Sequence, residues 1–175
     1  LQHDLGVNEF RINTLASIQD SGFIEYGRWV TEHHFRSWRH KITYLDGNKE
    51  ESKRVVPDGY LEVWIDGKVF RLLLEFDMDS RDNPNFVSSK VLPGIAYINS
   101  DIYKKTFYRN AGRWLVPTTS MRKLSNLKVA TEQAVGRASK VFYFTTHDQM
   151  QNANVLTDPI WYQGGSDTST AIFTP

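Results

Sequence analysis

Three acidic residues, Asp58, Glu75 and Asp77, flank one short stretch of alternating residues. If that stretch folds back on itself, all three carboxylates come to one end of it. Carboxylates crowded into a small volume repel one another, and a divalent cation relieves the repulsion. Mg²⁺ suits such a place, because it takes one or two carboxylates and completes its shell with water and phosphate oxygens. The chemistry open to such a cluster is that of a bound divalent cation. The plainer alternative is a solvated acidic end of a sheet.

The element that must position these residues is a hairpin. The sequence from Pro57 to Asp77, PDGYLEVWIDGKVFRLLLEFD, holds two alternating runs separated by Asp66-Gly67. Both turn residues tolerate the positive φ of a type I′ turn, which makes Asp-Gly a strong hairpin signal. A two-residue loop here opposes Ile65 to Lys68, Glu62 to Arg71, Tyr60 to Leu73 and Asp58 to Glu75. Leu61, Val63 and Ile65 then share an apolar face with Phe70, Leu72, Leu74 and Phe76, as a core-facing sheet surface requires. Glu62 and Arg71 form a cross-strand pair of opposite charge. Asp58 and Glu75 come within about 5 Å of each other at their Cβ atoms, with Asp77 one step further along the same face.

Around the hairpin the chain alternates helix and strand. Residues 1–22 read as a helix capped by Asn8 and stopped by Gly22, followed by a short strand at 23–26 and an undecided segment at 27–34. His33 and His34 are adjacent, and with His40 they lack the three- or four-residue spacing of a shared ligand face on a helix. Residues 41–45 read as a strand, and 46–53 as a mobile charged loop. Asn83 and Pro84 open a helix that Pro93-Gly94 should kink or break, with helix resuming from Ile95 to Phe107. A strand at 113–119, a helix from Ser120 to Ala138 and a buried strand at 141–146 follow. The order predicts an α/β domain with a mixed sheet flanked by helices. Residues 1–163 form one domain in this reading, and the Ser/Thr-rich residues 164–175 form a flexible C-terminal tail.

Composition narrows the function classes only a little. The chain has 175 residues, 40% of them hydrophobic and 23% charged, with a formal net charge of +1. Such a charge gives no global pull toward nucleic acid, so any basic surface must be local. Lys104, Lys105, Arg109, Arg113, Arg122, Lys123 and Lys128 are the candidates for one. The absence of cysteine excludes thiolate metal sites and disulfides and fits a cytoplasmic setting. No apolar run is long enough to span a membrane, so no membrane partner is expected. The first residue is Leu1 rather than methionine, and the chain reads as a fragment of a longer protein.

An αβββαβ core with an Asp at the start of its second strand and a Glu on its third resembles the PD-(D/E)XK nuclease superfamily. Pro57-Asp58 stands as the PD and Glu75 as the acid of the second half-motif. The lysine two residues after that acid is replaced by Asp77, and Lys90 on the next helix is the nearby substitute. A resemblance over nearly the whole chain is to the replication-relaxation family of plasmid and mobile-element proteins. It rests on His3-Asp4-Leu5-Gly6-Val7-Asn8, Trp29 and Glu32, Pro57-Asp58-Gly59-Tyr60, Glu75-Phe76-Asp77, Lys90, Tyr97, Arg122, the VFYFTT strand and Pro159-Ile160-Trp161. Met78-Asp79-Ser80 stands where that family usually has Arg-Gly-Thr.

The resemblance implies a DNA-directed function and an upstream DNA-binding domain, with plasmid replication or mobilisation proteins as further partners. One expectation is an Mg²⁺- or Mn²⁺-dependent DNA endonuclease. Asp58, Glu75 and Asp77 hold the metal, Lys90 orients water or stabilises the phosphate, and Glu32 adds a fourth acid. The alternative is an inactive nuclease-like module that binds DNA or protein in plasmid maintenance.

Overall fold

The central hairpin has the register that its turn chemistry demands. In a computed structural model that describes residues 2–78 and 83–175, Asp66 and Gly67 take φ of 50° and 72°. They join β4 (Gly59–Ile65) to β5 (Lys68–Leu74). Ile65 opposes Lys68, Glu62 opposes Arg71 and Tyr60 opposes Leu73. The apolar face buries Leu61, Val63, Leu72, Leu74 and Phe76 against Phe10 and Ile18 of the N-terminal helix α1 (Gln2–Ser21). Asn8 lies inside this helix instead of capping it. The other face is covered as well, with Tyr60 and Leu73 packed among Tyr97, Phe107, Trp114 and Phe144. Glu62 does not pair with Arg71 as expected. It binds Arg28 on β1 (Glu25–Thr31), while Arg71 Nε donates to the Phe107 carbonyl at 2.9 Å.

The hairpin sits inside a mixed seven-stranded sheet. Its order is β1-β4-β5-β6-β7-β8-β9, with β6 at Arg113–Thr118, β7 at Phe142–Thr146, β8 at Trp161–Gln163 and β9 at Ser169–Thr170. β5, β6 and β7 run parallel, and the remaining neighbours are antiparallel. Parallel neighbours need crossovers, and helices supply them. The β5-to-β6 crossover contains α3 (Asn83–Phe86), a π-helical turn at Val87–Val91, α4 (Leu92–Ile98) and α5 (Asp101–Phe107). The β6-to-β7 crossover is α6 (Met121–Val135), capped by the Ser120 hydroxyl, and a 3₁₀ turn. A short α7 (His147–Gln151) follows β7. Pro93 and Gly94 do not break the first crossover. The wide turn ahead of them gives Leu92 N–H the Val87 carbonyl, and Pro93 stands in the first turn of α4, where its missing N–H costs least.

Two further expectations are corrected. Residues 46–53 are not a loose loop: Lys41–Asp46 (β2) and Lys49–Arg54 (β3) form a separate antiparallel hairpin around Gly47. It follows α2 (Glu32–Trp38) and packs on α4. Residues 164–175 are not a loose tail. They include β9, and Ile172 and Phe173 are buried in the core. Arg113 donates to the Ile172 carbonyl and lies over the Phe173 ring, which anchors the segment. Asp79 and Ser80, which stand where the replication-relaxation family usually has Gly-Thr, lie outside the described residues. No helix among the described residues is long and apolar enough to cross a membrane.

Candidate active site

The acidic end of the hairpin is shaped by a change of partner strand. The β4–β5 ladder ends at Gly59 and Leu74, one step short of Asp58 and Glu75. Beyond it the β5 chain pairs with β6: Glu75 N–H donates to the Leu115 carbonyl and Asp77 N–H to the Pro117 carbonyl, both at 2.9 Å. Asp58 stays with the hairpin through its own N–H, which donates to Leu74. Its carboxylate then closes the gap that the splaying strands leave. Asp58 Oδ2 accepts the Phe76 N–H at 2.7 Å, a buried donor that the ladder no longer serves.

The three carboxylates do not share one cation site. Each has a basic partner drawn from a different helix. Asp58 Oδ2 lies 3.1 Å from His3 Nε2 on α1. Glu75 Oε1 lies 2.6 Å from Lys90 Nζ on the π-helical turn. Asp77 Oδ2 lies 3.0 Å from Lys123 Nζ on α6, an ion pair by distance whose angles do not make a hydrogen bond. Among the described residues no three acidic or histidine side chains converge as a metal-holding group. The expectation of a three-carboxylate cluster therefore gives way to three acid–base pairs. Repulsion is relieved by bringing a base to each acid: the N-terminal helix delivers His3, and the two crossovers deliver Lys90 and Lys123.

All the same, the sequence-derived residues meet at one cavity. Asp58, Glu75, Asp77, Lys90 and Glu32 line a space of about 480 Å³ together with His3. Glu32 opens α2 and binds Arg36 one turn on, with Arg36 Nε donating at 2.8 Å. The N-terminal helix approaches closely at Gly6, where a Cβ would stand 2.8 Å from the Phe76 ring. That approach sets His3 against Asp58. Burial pushes the Asp58 carboxyl above the usual carboxylate range, against the opposing pull of the Phe76 amide, His3 and Lys90. For His3, burial disfavours the cation, yet the Asp58 carboxylate, helped by Glu32 and Asp4, outweighs it and raises the imidazole above its ordinary value. Both shifts run the same way, so the pair retains a proton more readily than either group alone.

Both contacts of Asp58 fall on Oδ2, and its Oδ1 accepts no hydrogen bond among the described residues. Asp58 thus offers a hard oxygen donor at the cavity, which Glu75 also lines in its pair with the ammonium of Lys90. Asp77 is committed to Lys123 and is only 6% exposed.

Sequence reasoning missed two of the three bases. His3 lies 55 positions from Asp58, and its one signal in the sequence is its place in the N-terminal motif His3-Asp4-Leu5-Gly6-Val7-Asn8. Lys123 is one of the candidates for a local basic patch, and three of those candidates are committed elsewhere. Lys123 serves Asp77, Lys128 serves Glu132, and Arg113 serves the C-terminal segment. A lysine three residues past the Ser120 cap on the helix after β6 was the available signal. Of the other histidines, His40 is buried against the Tyr97 hydroxyl at 2.7 Å and His33 is exposed. Comparison of the chain with protein-family models, curated proteins and solved structures gave no match.

Proposed function

We propose that this domain is a nuclease-like module that hydrolyses DNA phosphodiesters with a divalent cation held by Asp58 and Glu75. The observation that carries the reading is the meeting of Asp58, Glu75 and Lys90 at one cavity. The strand order supports it too, since an antiparallel β1-β4-β5 set continues into parallel β6 in the way an αβββαβ nuclease core does. Membership of the PD-(D/E)XK superfamily and of the replication-relaxation family belongs to the same proposal, as do plasmid replication or mobilisation proteins as partners.

Two carboxylates beside water and phosphate oxygens match what Mg²⁺ or Mn²⁺ accepts. A bound cation of this kind supplies Lewis-acid polarisation of a phosphate and a more acidic water. The chain's own residues do the rest. Lys90 holds Glu75 in place and presents its ammonium where negative charge builds on a phosphate. Glu32 lines the same cavity, paired to Arg36. Asp77 is left out of the donor set, because Lys123 already neutralises it.

A second reading, an inactive module for DNA or protein binding, is favoured by the same three pairs. A site whose acids each own a base folds without any cation. Calorimetric titration with Mn²⁺ and Mg²⁺ in the presence of DNA, beside an Asp58→Ala, Glu75→Ala double variant, separates the two. Binding that vanishes in the variant, with metal-dependent nicking of plasmid DNA, supports the nuclease. No binding to the wild type at millimolar metal leaves the inactive module.

A further inference from the structure

At the root of the β2–β3 hairpin, where Arg54 reaches the cavity, stand cations that the proposed chemistry does not use. β2 begins at Lys41 and β3 ends at Arg54, and the register sets these two directly opposite each other. Like charges opposed on a ladder destabilise it. Both side chains are exposed, and neither makes an ion pair among the described residues. Arg39, two residues before Lys41, is exposed and without an ion pair as well. It ends α2 in the left-handed region, at φ 56° and ψ 35°, where glycine is the residue that fits without cost. Local physics would therefore put an acid opposite Arg54 and a glycine at position 39. Cations stand at both places.

This root is tied to the site. Arg54 lines the cavity, and so does its neighbour Lys53, whose Nζ donates to the Ser89 carbonyl at 2.6 Å. That bond joins the hairpin root to the turn that carries Lys90. Repulsion between Lys41 and Arg54 is relieved when a polyanion lies across them, and a phosphodiester chain entering the cavity does so.

We propose that Arg39, Lys41 and Arg54 form a phosphate track that holds the DNA backbone beside Asp58 and Glu75 by charge and not by base sequence. The identity of the polyanion as DNA rests on the nuclease-like reading; the track itself needs neither metal nor cleavage.

The test is fluorescence anisotropy of a short labelled duplex with the whole chain in EDTA, over a range of salt. The variant is Arg39→Gly, Lys41→Glu. It relieves the left-handed arginine and creates an opposite-charge pair with Arg54, so its melting temperature is expected at or above that of the wild type. Its binding is expected to be about tenfold weaker or more at 0.1 M salt, with a slope of log K against log salt shallower by about 2. A Lys105→Glu control, an exposed lysine on α5 outside the track, is expected to bind as the wild type does.

Unchanged affinity and slope in the double variant overturn the track. So does a loss no larger than that of the control. Tighter capture of RNA of the same sequence overturns the assignment to DNA. The two proposals fail separately. Loss of duplex affinity in the variant of a protein that binds no metal removes the nuclease and keeps the track. Metal-dependent cutting with an unchanged KM in the variant removes the track and keeps the nuclease.

Discussion

Replacing Asp58 by asparagine and by alanine separates its structural work from its chemistry. Its Oδ2 accepts the buried Phe76 N–H at 2.7 Å, at the point where β5 leaves β4 for β6. Asparagine keeps an acceptor for that donor; alanine leaves it unpaired. Both substitutions remove the buried charge, so the cost of burying a carboxylate cancels between them. The difference is then the hydrogen bond and a small volume. An orphaned buried donor costs about 1–3 kcal/mol, and about 2 kcal/mol is the central expectation. For a domain of this size each kcal/mol moves Tm by about 2–4 °C, so the alanine variant should melt about 4–8 °C below the asparagine variant. Thermal unfolding followed by circular dichroism at one pH, with reversibility checked, measures this. Mn²⁺ titration of the same two proteins should show binding lost in both. Equal melting temperatures would refute the assignment of that hydrogen bond, and metal binding retained by the asparagine variant would refute Asp58 as the ligand.

Other perturbations test the remaining contacts. Lys123→Met strands the buried Asp77 carboxylate and should cost about 3 kcal/mol in urea unfolding. Adding Asp77→Asn should recover much of that loss, which a double-mutant cycle reads directly. The raised His3 pKa makes a pH-dependent contribution to stability. A raised folded value means that the contribution is complete below the unfolded value of about 6.5 and is lost as pH rises through the folded one. His3→Gln should therefore lower Tm at about pH 5.5 and lower it much less at about pH 8.5. A constant offset between the two pH values would remove the pairing with Asp58 as its source. Phe173→Ala should cost about 3 kcal/mol, because its ring is buried against Phe70 and Arg113. A change within error in chemical denaturation would return the C-terminal segment to a loose tail.

The hairpin was legible because its information is local. Asp66-Gly67 dictates the turn, the turn dictates the register, and alternation dictates which side chains go inward. The same holds for Ser120, whose hydroxyl accepts the Lys123 N–H and starts α6, and for Asn83-Pro84 at the head of the first crossover. Local pattern misled where tertiary contacts supply the burial. The charged β2–β3 hairpin and the Ser/Thr-rich end read as loose segments. One gains its order from packing on α4, and the other from Arg113, Phe70 and the Leu156 carbonyl.

The candidate site divides along the same line. The sequence by itself determined that Asp58 and Glu75 stand at one end of a two-stranded unit, since a few residues of covalent geometry fix that. Only the tertiary structure decided that Asp58 spends an oxygen on Phe76, and that His3, Lys90 and Lys123 each come to one acid. Those choices depend on where three helices cross the sheet. Helix placement is set by the packing of both apolar faces, a sum over many distant side chains that no short motif encodes.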